Sequence, residues 1–430
     1  MNIEIQSFGP IKDVNMQIKD INILIGEQAC GKSTISKLIY YFLDLRDEVN
    51  NFIFECFENP IKDIKKRNRK FDKMLKSHFL ALFGPGIYEE ALKIKFTYKD
   101  NFYICITREK NNSKYLKFDF PLKVLKQINK IIDENINKFT HEYSQVKLFS
   151  NKIDKHSRIE INKLQKEIRH VLIEIFSFSE DLLFIPSGRS ILSILSEQLS
   201  NIHPHKLDVT MRTFINKINS TNGLFKKKMS DLIIDKQKIE GQDWNYKISN
   251  IRKKCEKIIK GSYYVDEEGG KIKLEDGKYV KINYSSSGQQ ESVWIVLSIF
   301  LILLDKVKAI VFIEEPEAHL FPIGQKDITE LILLTYFYEN TNFFITTHSP
   351  YILTTLNNAL YSHQLGEKGR SIYELQIDAN KLTTNKVRNG SITDIIDKET
   401  NLVCAEEIDN CSSDICEIFD KLEGVEFSNA

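Results

Sequence analysis

The sequence carries almost no net charge, with Lys and Arg at 60 against Asp and Glu at 59. That balance excludes a molecule-wide field that would draw in nucleic acid, so any such affinity must come from a local patch. Cysteines are few: seven, at positions 30, 56, 105, 255, 404, 411 and 416, follow neither a disulfide framework nor a zinc spacing. Reduced thiols and a cytoplasmic location are the expectation. Long apolar runs are missing too. The longest, residues 293–304, has twelve residues and contains Ser298, too short to cross a bilayer. The opening residues MNIEIQSFGP lack the basic-then-apolar design of a secretion signal. No membrane partner is expected. What remains is ordinary: 42% hydrophobic and 28% charged residues over 430 positions suit two or three domains, or one large core with insertions.

The strongest positive signal is INILIGEQACGKST at residues 21–34. Residues 21–25 read as a short buried strand and residues 35–45 continue with helical spacing. Between them Gly26, Gly31, Lys32 and Ser33 fit the spacing of a phosphate-binding loop. Glycines let backbone N–H groups curl around a phosphate, and the following helix adds its positive end. Lys32 would reach the β- and γ-phosphates of a nucleoside triphosphate, and the Ser33 hydroxyl would ligate Mg²⁺. Gln28 inside the loop and Thr34 after it complete the candidate nucleotide-binding set.

Two further apolar strands are expected downstream. Residues 309–313 lead into Glu314-Glu315, where the first carboxylate would hold Mg²⁺ and the second would orient or deprotonate the attacking water. A solvated acidic turn is the alternative. The stretch FFITTHSP, residues 343–350, ends on His348, at the strand tip where α/β sheets place their ligands. A fourth stretch, YSSSGQQES at residues 284–292, sets small polar residues at the mouth of the apolar run. Ser286 or Ser287 can cap a helix starting near Gln290, so that its N-terminal dipole faces an anion. A flexible linker is the plainer reading of the same residues.

GEQACGKST, SSSGQQE, VFIEEPEAHL and ITTHSP, in that order, resemble the Walker A, signature, Walker B and switch-histidine motifs of ABC-type ATPases. EEPEAHL and THSPYIL resemble in particular the SMC-like and OLD-like branch. That branch includes ATPase subunits of bacterial anti-phage systems, such as PtuA of Septu and retron systems and AriA of PARIS. The motifs cover about a third of the chain and are specific for the superfamily rather than for one system. The resemblance implies an α/β P-loop NTPase of ABC-ATPase type with an antiparallel β-subdomain and an inserted helical region. It implies ATP and Mg²⁺ as cofactors, Ser33 and Glu314 as metal ligands, and Glu315 and His348 as catalytic groups. Ser286 and Gly288 would touch the γ-phosphate held by a second subunit, so the protein would pair with itself, as a homodimer or higher oligomer with composite ATP sites. Two departures stand out. Glu314 replaces the usual Walker B aspartate, and no residue is assigned as the Q-loop glutamine. In LLFIPSGRS, residues 183–191, Arg189 is open to either of two roles, serving a phosphate or capping a turn.

The chain is accordingly divided into 1–60 (core with P-loop), 61–180 (insertion), 181–284 (helical and meander region), 285–365 (signature, Walker B and switch His) and 366–430 (extension). In the insertion, residues 61–76 hold eight Lys or Arg against two Asp, with Ile61, Ile64, Phe71 and Met74 expected on an apolar face. A solvated helix face, nucleic-acid phosphates and an acidic partner are all open for that run. Residues 92–120 alternate as antiparallel strands with Lys-Asp and Asn-Asn turns, and 122–177 read as a helical hairpin. Residues 261–284 suggest a meander through Glu-Gly-Gly and Asp-Gly turns. From Glu406 the end holds eight acidic residues and one lysine, and no second catalytic constellation is visible. The resemblance therefore implies a sensor or scaffold subunit that controls a separately encoded effector, a nuclease, with DNA or a phage protein as candidate trigger. The alternative is an SMC- or recombination-repair-type ATPase acting directly on DNA.

Overall fold

Apolar residues at every second position build the first of two units, which comprises Met1–Ile18, Thr34–Leu182 and Asn389–Ser391. The computed structural model describes residues 1–86, 88–109, 112–148, 155–194, 207–240, 242–405 and 415–422. In the first unit the strands Asn2–Phe8, Ile11–Gln17, Lys93–Lys99, Phe102–Glu109 and Asn112–Asp119 pair antiparallel. Ile3, Ile5, Val14, Met16, Ile94, Phe96, Ile104 and Ile106 turn inward from them. The helix Lys32–Glu58, in this unit from Thr34 onward, buries Leu38, Tyr41, Phe42, Leu45 and Val49. Phe42 stacks on Phe96 with ring centroids 5.0 Å apart, and burial of each such side chain contributes roughly 1.5–3 kcal/mol. The Lys-Asp turn is present, with Asn101 at φ 64°; the Asn-Asn turn falls partly outside the described residues. The expected hairpin consists of helices Leu122–Leu148 and Lys155–Phe176, its connection also lying outside them.

The basic run differs from its expected pattern. Helix Ile64–Phe83 is capped by Asp63, whose side chain accepts from Lys65 N and Lys66 N. Its buried face is Phe71, Leu75, Phe79 and Leu82, while Ile64 is exposed. Arg67 is not part of a basic surface. It is buried, donating to Ile61 O at 2.8 Å, Asn129 Oδ1 at 3.1 Å and Asp133 Oδ1 at 2.8 Å. A buried guanidinium with all its directions satisfied is structural. Lys62, Lys65, Lys66, Arg69 and Lys73 remain exposed.

The second unit comprises Lys19–Ser33, Leu183–Arg388 and Ile392–Ala430. Its sheet runs Leu382–Arg388, Ile21–Ile25, Asn342–Thr347, Ala309–Glu314, with Asp181–Ile185 beside the last. The first four are parallel neighbours, and Ile21–Ile25 and Ala309–Glu314 are buried at every position, as a sheet covered on both faces requires. Residues 261–284 form the expected meander, Ser262–Asp266, Gly269–Lys273 and Tyr279–Lys281, turning at Gly269 (φ 103°) and Gly277 (φ 84°).

The helix behind the serines starts three residues earlier than Gln290. It spans Ser287–Asp305 with Ser286 as N-cap, in a reciprocal box with Gln289. Such a cap stabilises by about 1 kcal/mol. The polar turn extends the apolar run enough for the helix to cross a membrane by length and composition, yet 72% of the apolar window is buried inside the protein. Every residue from Glu291 to Phe300 is buried. It is a core helix here.

Candidate functional site

Strand register brings the motifs to one edge. Ile25 lies opposite Thr347 and Lys386, and Glu314 lies opposite Thr346. Because these strands are parallel, the loops after Ile25, Glu314 and Thr347 all leave from the carboxyl end of the sheet, where α/β folds bind ligands. Gly26, Glu315 and His348 thus issue from neighbouring strand tips.

The loop after Ile25 adopts backbone only small residues tolerate. Gly26 has φ 154°, Ala29 φ 58° and Gly31 φ 109°. A Cβ on Gly26 would sit 2.3 Å from Val387 O, so a side chain there collides with the adjacent strand. Lys32, only 6% exposed, donates from Nζ to Gly26 O at 2.8 Å and Glu27 O at 2.7 Å. The ammonium is thereby held across the loop its family role would have it serve. Ser33 and Gln28 are exposed and Thr34 is half-buried. Helix Lys32–Glu58 opens at Lys32, so its unsatisfied N–H groups face the loop.

The two carboxylates are held differently. Glu314 is 4% exposed, and its Oε2 accepts from Ser187 N at 3.1 Å and Ser187 Oγ at 3.4 Å. Its Oε1 is buried without a hydrogen-bond partner among the described residues. Glu315 sits in the left-handed region at φ 46°, a conformation that costs a non-glycine residue energy and recurs at functional sites. Its side chain is 41% exposed, with Oε1 3.6 Å from His348 Nε2.

Sequence reasoning missed one member of this cluster, Glu317, and left the role of another, Arg189, open. Glu317 accepts from Thr347 Oγ1 at 2.8 Å and from His348 N at 2.6 Å, and burial raises its pKa. It therefore fixes the backbone of the candidate histidine. The signal was a third carboxylate in EEPEAHL, read only as part of a motif. Arg189, fully buried, neither faces solvent nor caps a turn alone. It donates to Pro186 O (2.7 Å), Glu314 O (2.6 Å), Glu315 O (3.0 Å) and Glu291 O (3.2 Å), and pairs with Glu291 Oε2 at 3.3 Å. Burial lowers its pKa, against the opposing pull of Glu291, Glu314, Glu317 and Glu315. The guanidinium clamps the turn that presents Glu314 and Glu315.

Ser286 is exposed and Ser287 opens the helix. Gly288 has a reason to be small within this chain. A Cβ there would meet His319 O at 2.7 Å, so the close approach is to this chain's own backbone. His319 itself has φ 59°. Ser286, Ser287 and Gly288 line a cavity of about 1280 Å³ with Lys253, Lys257, Phe321 and others, and no residue of the phosphate loop lines it.

A phosphate loop, a carboxylate-tipped strand and a histidine-tipped strand on one parallel sheet define a P-loop ATPase of mixed α/β fold, with antiparallel strands and inserted helices as expected. The chain belongs to the AAA ATPase domain family, whose profile matches residues 1–353. No curated protein matches it significantly. Among solved structures it is similar to an SMC head bound to the C-winged helix domain of ScpA, at 11% identity and TM-score 0.40, covering 92% of this chain and 96% of that one. It is similar to the SMC head domain from Thermotoga maritima at 8% identity and TM-score 0.35, covering 92% and 97%. It is similar also to cbiO1 from Clostridium perfringens, part of the ABC transporter complex cbiONQ, at 11% identity and TM-score 0.30, covering 98% and 96%.

Proposed function

We propose that this ATPase is of the ABC type and SMC-like branch, and that it closes as a homodimer around two ATP–Mg²⁺ sites to control a separate effector, a nuclease, in an anti-phage complex. The dimer is supported by the signature resemblance: Ser286 and Gly288 match the residues that in ABC-type ATPases touch the γ-phosphate held by a second subunit, and Ser286 lies exposed as the N-cap of helix Ser287–Asp305, whose dipole favours an anion there. The defence role is supported by the motif resemblance alone. Hydrolysis would then act through conformation or a partner.

In this reading Lys32 exchanges the carbonyls of Gly26 and Glu27 for phosphate oxygens. The donor set fits Mg²⁺: hard oxygens from the exposed Ser33 hydroxyl and from Glu314, whose buried Oε1 lacks a partner among the described residues. When bound, the ion would neutralise phosphate charge. Glu315, more exposed and beside His348, accepts the proton of the attacking water, and His348 orients toward the γ-phosphate. Arg189 and Glu317 keep both groups in place from beneath.

Mixing variants tests the dimer. Ser286→Arg and Lys32→Ala proteins should each be inactive, and their mixture should regain activity because each heterodimer keeps one intact composite site. A monomeric protein with full ATPase activity refutes the composite site. Co-expression with the adjacent gene, followed by nuclease assay of the complex, tests the effector. Exposed Lys65, Lys66, Arg69 and Lys73 favour direct action on DNA as a second reading. Neutralising them should leave DNA binding weak and unchanged. If it instead flattens the salt-dependence slope by about 0.9 for each phosphate no longer neutralised, the second reading holds.

A further inference from the structure

The first unit contains a second cluster of ionisable groups, away from the ATPase motifs in sequence. Asp44 and Glu48 stand one turn apart on helix Lys32–Glu58, and His78 comes from helix Ile64–Phe83. One ligand atom from each lies within 4.8 Å of the other two. His78 is nine-tenths buried, and its Nε2 has no hydrogen-bond partner among the described residues. It sits 3.2 Å from Asp44 Oδ2, yet without the alignment of a hydrogen bond. The ring is fixed by stacking on Tyr41, 5.1 Å between centroids and 25° between planes. Glu48 in turn accepts from Asn51 Nδ2 at 3.5 Å.

We propose that Asp44, Glu48 and His78 bind a divalent transition-metal ion of the Zn²⁺ and Co²⁺ class, which ties the two helices together. An ordinary His–Asp pair would align an N–H with the carboxylate. Here Nε2 stands 3.2 Å from Asp44 Oδ2 out of hydrogen-bonding alignment, and a cation bound between the two atoms would give both a partner. Ligands at 2.0–2.2 Å from a common ion stand about 3–4 Å apart, so small side-chain adjustments close the set. An imidazole with two carboxylates suits borderline ions, with water completing the shell. Asn51 provides the outer hydrogen bond that orients a ligating carboxylate.

Metal-stripped full-length protein should be titrated with Co²⁺, following d–d absorption, and with Zn²⁺ in competition with a chromophoric chelator. The expected result is one equivalent bound with nitrogen and oxygen ligation. No thiolate charge-transfer band should appear, which separates this site from the cysteines. Affinity should fall at least tenfold in Asp44→Asn and in Glu48→Gln. These near-isosteric variants carry the test if His78→Ala does not fold, and circular dichroism verifies their folding. No Co²⁺ spectrum in the wild type, a thiolate band, or equal binding by the carboxylate variants overturns the site.

Discussion

Arg189 offers the sharpest separation of two roles, because replacing it by methionine keeps most of the volume and removes every donor. The structure predicts a cost in stability rather than in nucleotide affinity. Arg189→Met leaves the Glu291 carboxylate buried, 3% exposed, without its cation. Breaking a buried pair from one side costs about 3–5 kcal/mol. The carbonyls of Pro186, Glu314 and Glu315 lose a donor as well, so this figure is a lower bound. For a unit as large as the one that holds Arg189 it corresponds to a fall of about 5–9 °C in melting temperature. Adding Glu291→Leu should restore part of the loss, since the two side chains share one interaction and their costs are not additive. Calorimetry of the wild type, both single variants and the double variant reads the coupling. ATP affinity, read by fluorescent nucleotide titration in the folded protein, should change little. The reasoning is refuted if Arg189→Met melts like the wild type while ATP affinity falls, for that is the behaviour of a phosphate ligand.

Two further outcomes are expected. Glu315→Gln should bind ATP as the wild type does and lose turnover by about 10²–10⁴-fold, measured by phosphate release; wild-type hydrolysis would move the base to another carboxylate. Glu330 gives a pH dependence: burial pushes its pKa up, but pairing with Lys254 and Lys326 outweighs this and holds the net value below that of an ordinary carboxylate. A depressed folded pKa adds stability above the unfolded value and loses it as pH falls, so melting temperature should drop below about pH 5, less steeply in Glu330→Gln.

The phosphate loop was legible because its chemistry is local. A buried strand, glycines at fixed spacing and a helix start all lie within residues 21–34, and no distant partner is needed to recognise them. The carboxylate and histidine strands were legible for the same reason. What sequence could not supply were partners far along the chain. Arg67 looks like one more charge in a basic run, and only Asn129 and Asp133, over sixty positions away, reveal it as buried. Gly288 looks like a phosphate neighbour, and only the carbonyl of His319 shows what its missing side chain avoids. Helix starts escape pattern reading too. Ser287, Gly288 and Gln289 are polar, so periodicity placed the first turn late, where the capping box places it early.

The unusual glutamate at 314 then gains a physical explanation. The side chain one methylene longer than aspartate reaches Ser187, which ties down Oε2 from both its N–H and its hydroxyl and leaves Oε1 without a partner among the described residues. One oxygen is anchored to the segment after Asp181–Ile185 and the other is left for a cation. On this argument Glu314→Asp, usually the conservative change, is the damaging one. Withdrawing the carboxylate by about 1.5 Å breaks its reach to Ser187 and removes both hydrogen bonds that anchor it there. ATP binding without Mg²⁺ should survive in this variant, because Lys32 and the loop are untouched. The Mg²⁺ concentration needed for half-maximal hydrolysis should rise several-fold, and Ser187→Ala should raise it in the same direction but less, since the Ser187 N–H remains. An unchanged Mg²⁺ requirement in Glu314→Asp would mean that the anchored carboxylate does not hold the ion.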